Sequence, residues 1–240
     1  MRPKYLIFAS LLLSGVGTAS ASLIEYGSIT FTGGIGVFPT PLLVKGGSNE
    51  AGCVGRQASG DVLGSAACPT DIFPASTWTA GGANPTTDTQ PQSQTFTVGQ
   101  LKASPAGIPN LSEVGLIFNA SQNSNGGITI DQLELSFYSA TGTFLFGSAI
   151  SNVVFPTTQQ GTGSSGFAFQ LSPSDSGFLN GIHFFDDNNN RVGVASHLSQ
   201  NTGGHEVFFF AEVPEPASLL TLGSGLIAIA FLLRRRYRNQ

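Results

Sequence analysis

The side chains that could carry chemistry are few and widely spaced. The three histidines, His183, His197 and His205, fall in or beside stretches that we predict as strands. A zinc site would need them to converge in space, and their spacing does not require this, so we predict that they face solvent. The sequence has no nucleophile elbow, H-E-x-x-H motif or P-loop. It therefore predicts no catalytic residue.

Acidic and amide side chains offer two further kinds of site. Asp186, Asn188 and Asn190 match the first three alternating ligand positions of a calcium loop. The glycine expected at the sixth position is absent, and His197 replaces the glutamate expected at the twelfth. An Asx-rich turn between strands explains the cluster without metal, so we predict no cofactor. A glycosidase would need two facing carboxyl groups, and no acidic pair is singled out by the sequence.

Cys53 and Cys68 are the two cysteines of the chain, 15 positions apart. They form no C-x-x-C pattern, and no histidine lies near them to complete a zinc site. In an exported protein this pair predicts one disulfide, which stabilises a loop of this size by about 3 kcal/mol. Two free buried thiols are the alternative.

The first residues are typical of an export signal. Arg2 and Lys4 precede an apolar run, and Ala-Ser-Ala at 19–21 matches a signal peptidase site. Residues 1–21 are therefore predicted to be a signal peptide that is removed on export. The remaining body holds four basic and thirteen acidic residues, a formal charge of −9. Such a surface repels phosphate backbones, so we predict no nucleic-acid partner.

The C-terminal segment combines an uncharged run with a basic end. Residues 217–233 contain no charged side chain, and a helix of this length is just long enough to cross a bilayer core. A cluster of arginines follows: Arg234, Arg235, Arg236 and Arg238. The positive-inside rule keeps this cluster cytoplasmic, so the precursor is predicted to stay in the inner membrane with its body outside.

A Pro-Glu-Pro triplet, Pro214 to Pro216, precedes this run. Proline fixes its own φ and favours an extended conformation in the preceding residue. Because proteases bind extended segments, we predict that Pro214, Glu215 and Pro216 form a recognition segment; a stiff spacer is the alternative.

Residues 213–240, with this triplet, the apolar run and the terminal arginines in order, resemble the PEP-CTERM sorting domain. The resemblance implies that exosortase, a membrane-embedded transpeptidase, recognises the triplet and processes the tail. It also implies a Gram-negative-type bacterium that makes exopolysaccharide, and a mature protein at the cell surface or outside the cell. It implies no activity for the body.

The body, residues 22–212, shows period-two alternation of apolar side chains, which predicts a mainly β fold. The pairs predicted to lie in strands include Phe96 with Val98 and Ile182 with Phe184. We predict an antiparallel β-sandwich, with two small β units as the alternative. A bulge is predicted near Asp131 and a hairpin turn at 139–142. Ser172 followed by Pro173 predicts the start of one short helix. The polar stretch 74–94 is predicted to be a long surface loop.

Two functional classes fit these features. The first is a non-catalytic surface or matrix protein, delivered by exosortase and associated with exopolysaccharide. The second is a secreted polysaccharide-binding module or hydrolase. An exposed row of aromatic side chains or a carboxylate-lined cleft would favour the second class.

Overall fold

Alternating apolar side chains form strands along most of the described chain. The computed structural model describes residues 23–30, 38–69, 82–105, 107–120, 126–155 and 165–213. The strands are β1 (Leu23–Thr30), β2 (Leu42–Val44), β3 (Asn49–Gln57), β4 (Gly60–Leu63), β5 (Phe96–Thr97), β6 (Val114–Asn119), β7 (Ile128–Tyr138), β8 (Phe144–Phe155), β9 (Ser165–Leu171), β10 (Arg191–Ser199) and β11 (Glu206–Glu212).

The strands pair into two antiparallel sheets that mix distant parts of the sequence. One sheet has the order β1-β9-β6-β11-β2, and the other has the order β4-β3-β10-β7-β8, with β5 also pairing to β10. Strands from the first and last thirds of the chain are therefore neighbours in both sheets. The described residues confirm a mainly β fold with antiparallel sheets.

One hydrophobic cluster receives side chains from both sheets. Phe118 of β6 and Phe208 of β11 stack with their ring centroids 4.9 Å apart. Phe118 also contacts Phe155 of β8, which belongs to the other sheet. Phe137 of β7 is fully buried in the same cluster. Since aromatic rings bury the most apolar area per residue, the phenylalanines dominate the contact between the sheets.

The β7–β8 hairpin contains the predicted bulge and turn. Across β10 the register passes from Gln132 to Ile130, so Asp131 is the extra residue of a bulge. At the turn, the Ser139 amide donates to Thr143 O and the Gly142 amide donates to Ser139 O. Gly142 has a φ of +83°, a conformation that glycine adopts without strain. Both predictions are confirmed.

Three α-helices are present among the described residues, where the sequence predicted one: α1 (Pro85–Asp88), α2 (Val98–Ala103) and α3 (Pro173–Gly181). The predicted helix is α3, and its cap is confirmed because Ser172 Oγ accepts a hydrogen bond from the Asp175 amide. The prediction missed α2, which begins with a capping box formed by Thr97 and Gln100.

Two local strand predictions are wrong for related reasons. Val98 was assigned to a strand and is instead the first residue of α2. Ile182 and Phe184 were also assigned to a strand, but they lie at the end of α3 and in a 3-10 turn at Phe184–Asp186. Val98 and Phe184 are buried by short helical turns, whereas Ile182 is exposed. A pair of apolar positions cannot distinguish such a turn from a strand.

The described part of the predicted loop 74–94 packs against β3. The Ala51 amide donates to Asp88 Oδ2 at 3.2 Å, and the Cys53 amide donates to Thr89 Oγ1 at 3.1 Å. This segment therefore extends the hydrogen bonding of the sheet, and the prediction of a surface loop is wrong for its second half. Nowhere in the described ranges is a helix long and apolar enough to span a membrane. The predicted helix at 217–233 lies outside those ranges.

Candidate functional site

An open groove of about 420 Å³ lies beside β2 in the described part of the chain. Its lining combines uncharged polar and apolar side chains: Phe38, Pro39, Thr40, Leu43, Gln92, Gln94, Phe96, Gln100 and Ser104. We call it the Gln–Phe groove. None of these residues carries a formal charge, so the groove contrasts with the acidic body around it.

Backbone hydrogen bonds hold the two walls of the groove together. The Gln94 amide donates to Pro41 O at 3.0 Å, and the Gln90 amide donates to Leu43 O at 3.0 Å. Ser93 Oγ accepts from the Leu43 amide. The segment that carries Gln92 and Gln94 is therefore fixed along β2, while both glutamine side chains are exposed.

The three candidate calcium-ligand side chains each contact a different protein donor. Asp186 Oδ2 lies 2.9 Å from Nδ1 of His183, whereas Asn188 Oδ1 accepts from Nζ of Lys102 at 3.1 Å. Asn190 Oδ1 accepts from the Ala140 amide. Each oxygen thus serves a different protein donor, and a lysine ammonium takes the position beside Asn188. In this arrangement the three side chains do not form a common set of calcium ligands.

The histidines differ in solvent exposure and in secondary structure. His183 is exposed but lies after α3 in the left-handed region, with φ 56°, and not in a strand. His197 of β10 is only 8% exposed, so the prediction that it faces solvent is wrong. Burial lowers the pKa of His197, and the nearby Asp131 carboxylate partly opposes this shift. Within the described residues, no group of three or more histidine, cysteine, aspartate or glutamate side chains is arranged to hold a metal.

Cys53 of β3 and Cys68 form a disulfide with their Cα atoms 5.2 Å apart. The bond joins β3 to the segment that follows β4, and it packs in a cluster of small buried residues: Ala51, Ala67, Ala83 and Ala195. The predicted pairing is confirmed, and we assign it a structural role.

A buried carboxyl pair links the two sheets near one end. Glu50 of β3 and Glu206 of β11 are both fully buried, and their carboxyl groups lie close enough to interact. The Gly46 amide donates to Glu50 Oε1, and Asn201 Nδ2 donates to Glu206 Oε2. Burial raises the pKa of Glu50, and the Asp88 carboxylate adds to this shift. Because the pair is buried, it lacks the open cleft that two glycosidase carboxyl groups need.

We expect Glu50→Gln to stabilise the protein at neutral pH. An acid whose pKa is raised by folding contributes its full stability below its unfolded value, and the contribution is lost as the pH rises through the folded pKa. Glutamine keeps the hydrogen bonds of the protonated acid and cannot ionise. The free energy of unfolding of the variant should equal that of wild type near pH 4 and should be about 1–3 kcal/mol higher at pH 8. This difference is the usual cost of one buried polar group left uncompensated.

Urea denaturation at pH 4 and pH 8 measures this difference. Glu25→Gln is the matched control, because it makes the same substitution at an exposed position of β1. Equal stability of Glu50→Gln and wild type at both pH values would contradict a raised pKa of Glu50 in the folded protein.

The described body is an antiparallel β protein with one disulfide and an uncharged groove, and its last strand runs directly into the C-terminal segment. Comparison with protein families matches residues 212–236 to the PEP-CTERM protein-sorting motif. The chain therefore carries a PEP-CTERM protein-sorting motif at its C-terminal end, as the resemblance predicted. Comparisons with curated proteins and with solved structures found no match.

The sorting motif supports an exosortase-targeted exported protein that passes through a membrane-anchored precursor, with exosortase as its processing partner. The residues predicted to act in sorting lie outside the described part of the chain: Pro214, Glu215, Pro216, Arg234, Arg235, Arg236 and Arg238. Their individual roles stay predictions. The groove residues were missed by sequence reasoning, because they come from separate segments and match no motif.

Proposed function

We propose that the mature protein is a non-catalytic surface or matrix protein that exosortase delivers and that associates with exopolysaccharide. The observation that carries this proposal is the PEP-CTERM motif at residues 212–236, which follows directly on the folded body. In this proposal, signal peptidase removes residues 1–21 and residues 22–212 form one β-sandwich outside the inner membrane. Residues 217–233 anchor the precursor until exosortase processes the tail.

The structure offers two observations in favour of a non-catalytic body. The Gln–Phe groove has no carboxylate, histidine, cysteine or lysine among its lining residues. The buried carboxyl pair is fully enclosed and is hydrogen-bonded within the protein. Both features favour binding over hydrolysis, since a glycosidase needs two carboxyl groups that reach the substrate.

Fractionation of cells with and without exosortase tests the proposal. We expect the processed protein to co-purify with the exopolysaccharide of wild-type cells, and the full-length precursor to remain in the membrane of cells that lack exosortase. C-terminal sequencing identifies the processed end. Recovery of the protein from wild-type cells free of polysaccharide would contradict the association, and unchanged processing without exosortase would contradict the delivery route.

A further inference from the structure

The Gln–Phe groove has the chemistry of a site for an uncharged, hydroxyl-rich ligand. A charged ligand would lose hydration there without meeting an opposite charge, because the lining residues are all neutral. A purely apolar ligand would leave the polar groups of the groove without partners. The lining therefore favours a ligand that is neutral and carries both hydroxyl groups and apolar faces.

The polar groups of the groove supply both donors and acceptors. Gln100 Oε1 accepts from the Thr97 amide at 2.8 Å, which leaves its amide nitrogen to donate to a ligand. Ser104 Oγ donates to Leu101 O, which leaves its oxygen to accept. Gln92 and Gln94 are exposed, and each side chain offers a carbonyl and an NH₂ group. Vicinal sugar hydroxyls, which both donate and accept, match such a set.

The apolar groups of the groove are two aromatic rings held by the core. Phe38 stacks on Phe209 with the ring centroids 5.4 Å apart, and Phe96 meets Phe210 edge to face at 6.3 Å. Phe209 and Phe210 are fully buried neighbours on β11, so both groove rings are supported by rigid strand residues. A half-buried ring fixed in this way is a suitable surface for the apolar face of a sugar ring.

We propose that the Gln–Phe groove binds a chain of neutral sugars. The groove volume of about 420 Å³ lies within the usual range of ligand sites and accommodates only a few sugar units. Its open form suits a polymer that continues beyond the contact on both sides. This inference deepens the proposed function, since it names the surface and the sugar class through which the protein would meet the polysaccharide.

NMR titration of the mature protein, purified from exporting cells, tests the site. The neutral probes are cellohexaose, maltohexaose and mannohexaose, and the anionic probe is hexamannuronate. We expect at least one neutral probe to bind with a Kd on the order of 1 mM or below, and the anionic probe to bind more weakly. Binding of hexamannuronate as tightly as every neutral probe, or binding of no neutral probe, would overturn the proposal.

The variant Gln92→Ala/Gln94→Ala removes two exposed amides and leaves the backbone bond from Gln94 to Pro41 in place. Loss of two ligand hydrogen bonds is expected to weaken binding about tenfold. Gln57→Ala is the matched control, because Gln57 is exposed on β3 outside the groove. This variant should bind the sugar probe with the affinity of the wild-type protein. Wild-type affinity in the double variant would place the sugar site elsewhere and overturn the assignment.

The same variant separates this inference from the proposed function. If wild-type protein co-purifies with exopolysaccharide and the double variant does so equally, the groove assignment fails while the proposed function stands. If the purified protein binds a neutral probe through Gln92 and Gln94 but never co-purifies with exopolysaccharide, the groove assignment stands while the proposed association fails.

Discussion

Replacement of Pro214, Glu215 and Pro216 with alanine is expected to stop processing almost completely and to leave full-length protein in the membrane. The three positions lie inside the matched sorting motif, directly before the uncharged run. Alanine removes the fixed φ of both prolines and the only charge between β11 and the terminal arginines, while the apolar run itself is unchanged. Intact mass spectrometry of the wild-type protein and the variant measures the effect.

Replacement of the four terminal arginines is expected to have the opposite effect, which is loss of the precursor from its place in the membrane. Arg234, Arg235, Arg236 and Arg238 resist transfer into the bilayer, each by about 2.5–3.5 kcal/mol at a helix centre on insertion scales. Their joint replacement by glutamine should let the precursor escape or mislocalise, because the 217–233 run is only just long enough to span the bilayer. Surface protein from wild-type cells that still carries Arg238 would show a simple anchor and contradict the sorting role.

Loss of the disulfide is expected to lower the free energy of unfolding by about 3 kcal/mol in the variant Cys53→Ala/Cys68→Ala. The two cysteines are 15 positions apart, and the bond ties the segment after β4 to β3, the strand next to the β4 edge of the six-stranded sheet. Alanine at both positions avoids a free thiol and resembles the small neighbours Ala51 and Ala195. For a domain of this size the change corresponds to a decrease in Tm of about 6–12 °C.

Thermal unfolding with and without reductant provides the internal control for the disulfide. Reductant should lower the Tm of the wild-type protein towards that of the double variant and should leave the double variant unchanged. Two thiols that react with an alkylating agent in native exported protein would contradict the bond.

Local sequence patterns predicted those features of the fold that depend on short-range interactions. The Ser172 cap, the Gly142 turn and the bulge at Asp131 depend on neighbouring residues or on alternation within one strand, so they could be predicted. The Cys53–Cys68 bond could also be predicted, because two exported cysteines have one intramolecular partner each. The sorting motif is a contiguous segment and needs no fold to be identified.

The features that could not be predicted from sequence depend on contacts between distant segments of the chain. His197 has the same local pattern as an exposed strand residue, and only the packing over its sheet face buries it. Glu50 and Glu206 lie more than 150 positions apart, and they meet only because β3 and β11, which belong to different sheets, begin close together in the fold.

The sequence by itself determined the export route, the β character and the disulfide, because each depends on composition or on short-range order. The tertiary structure alone decided where an uncharged groove forms. Phe38, Gln94 and Gln100 belong to three segments with no shared periodicity, and they meet because backbone hydrogen bonds hold the 90–94 segment against β2. A long-range arrangement of this kind leaves no local signal, since hydrophobic burial fixes the position of a segment without constraining its exposed side chains.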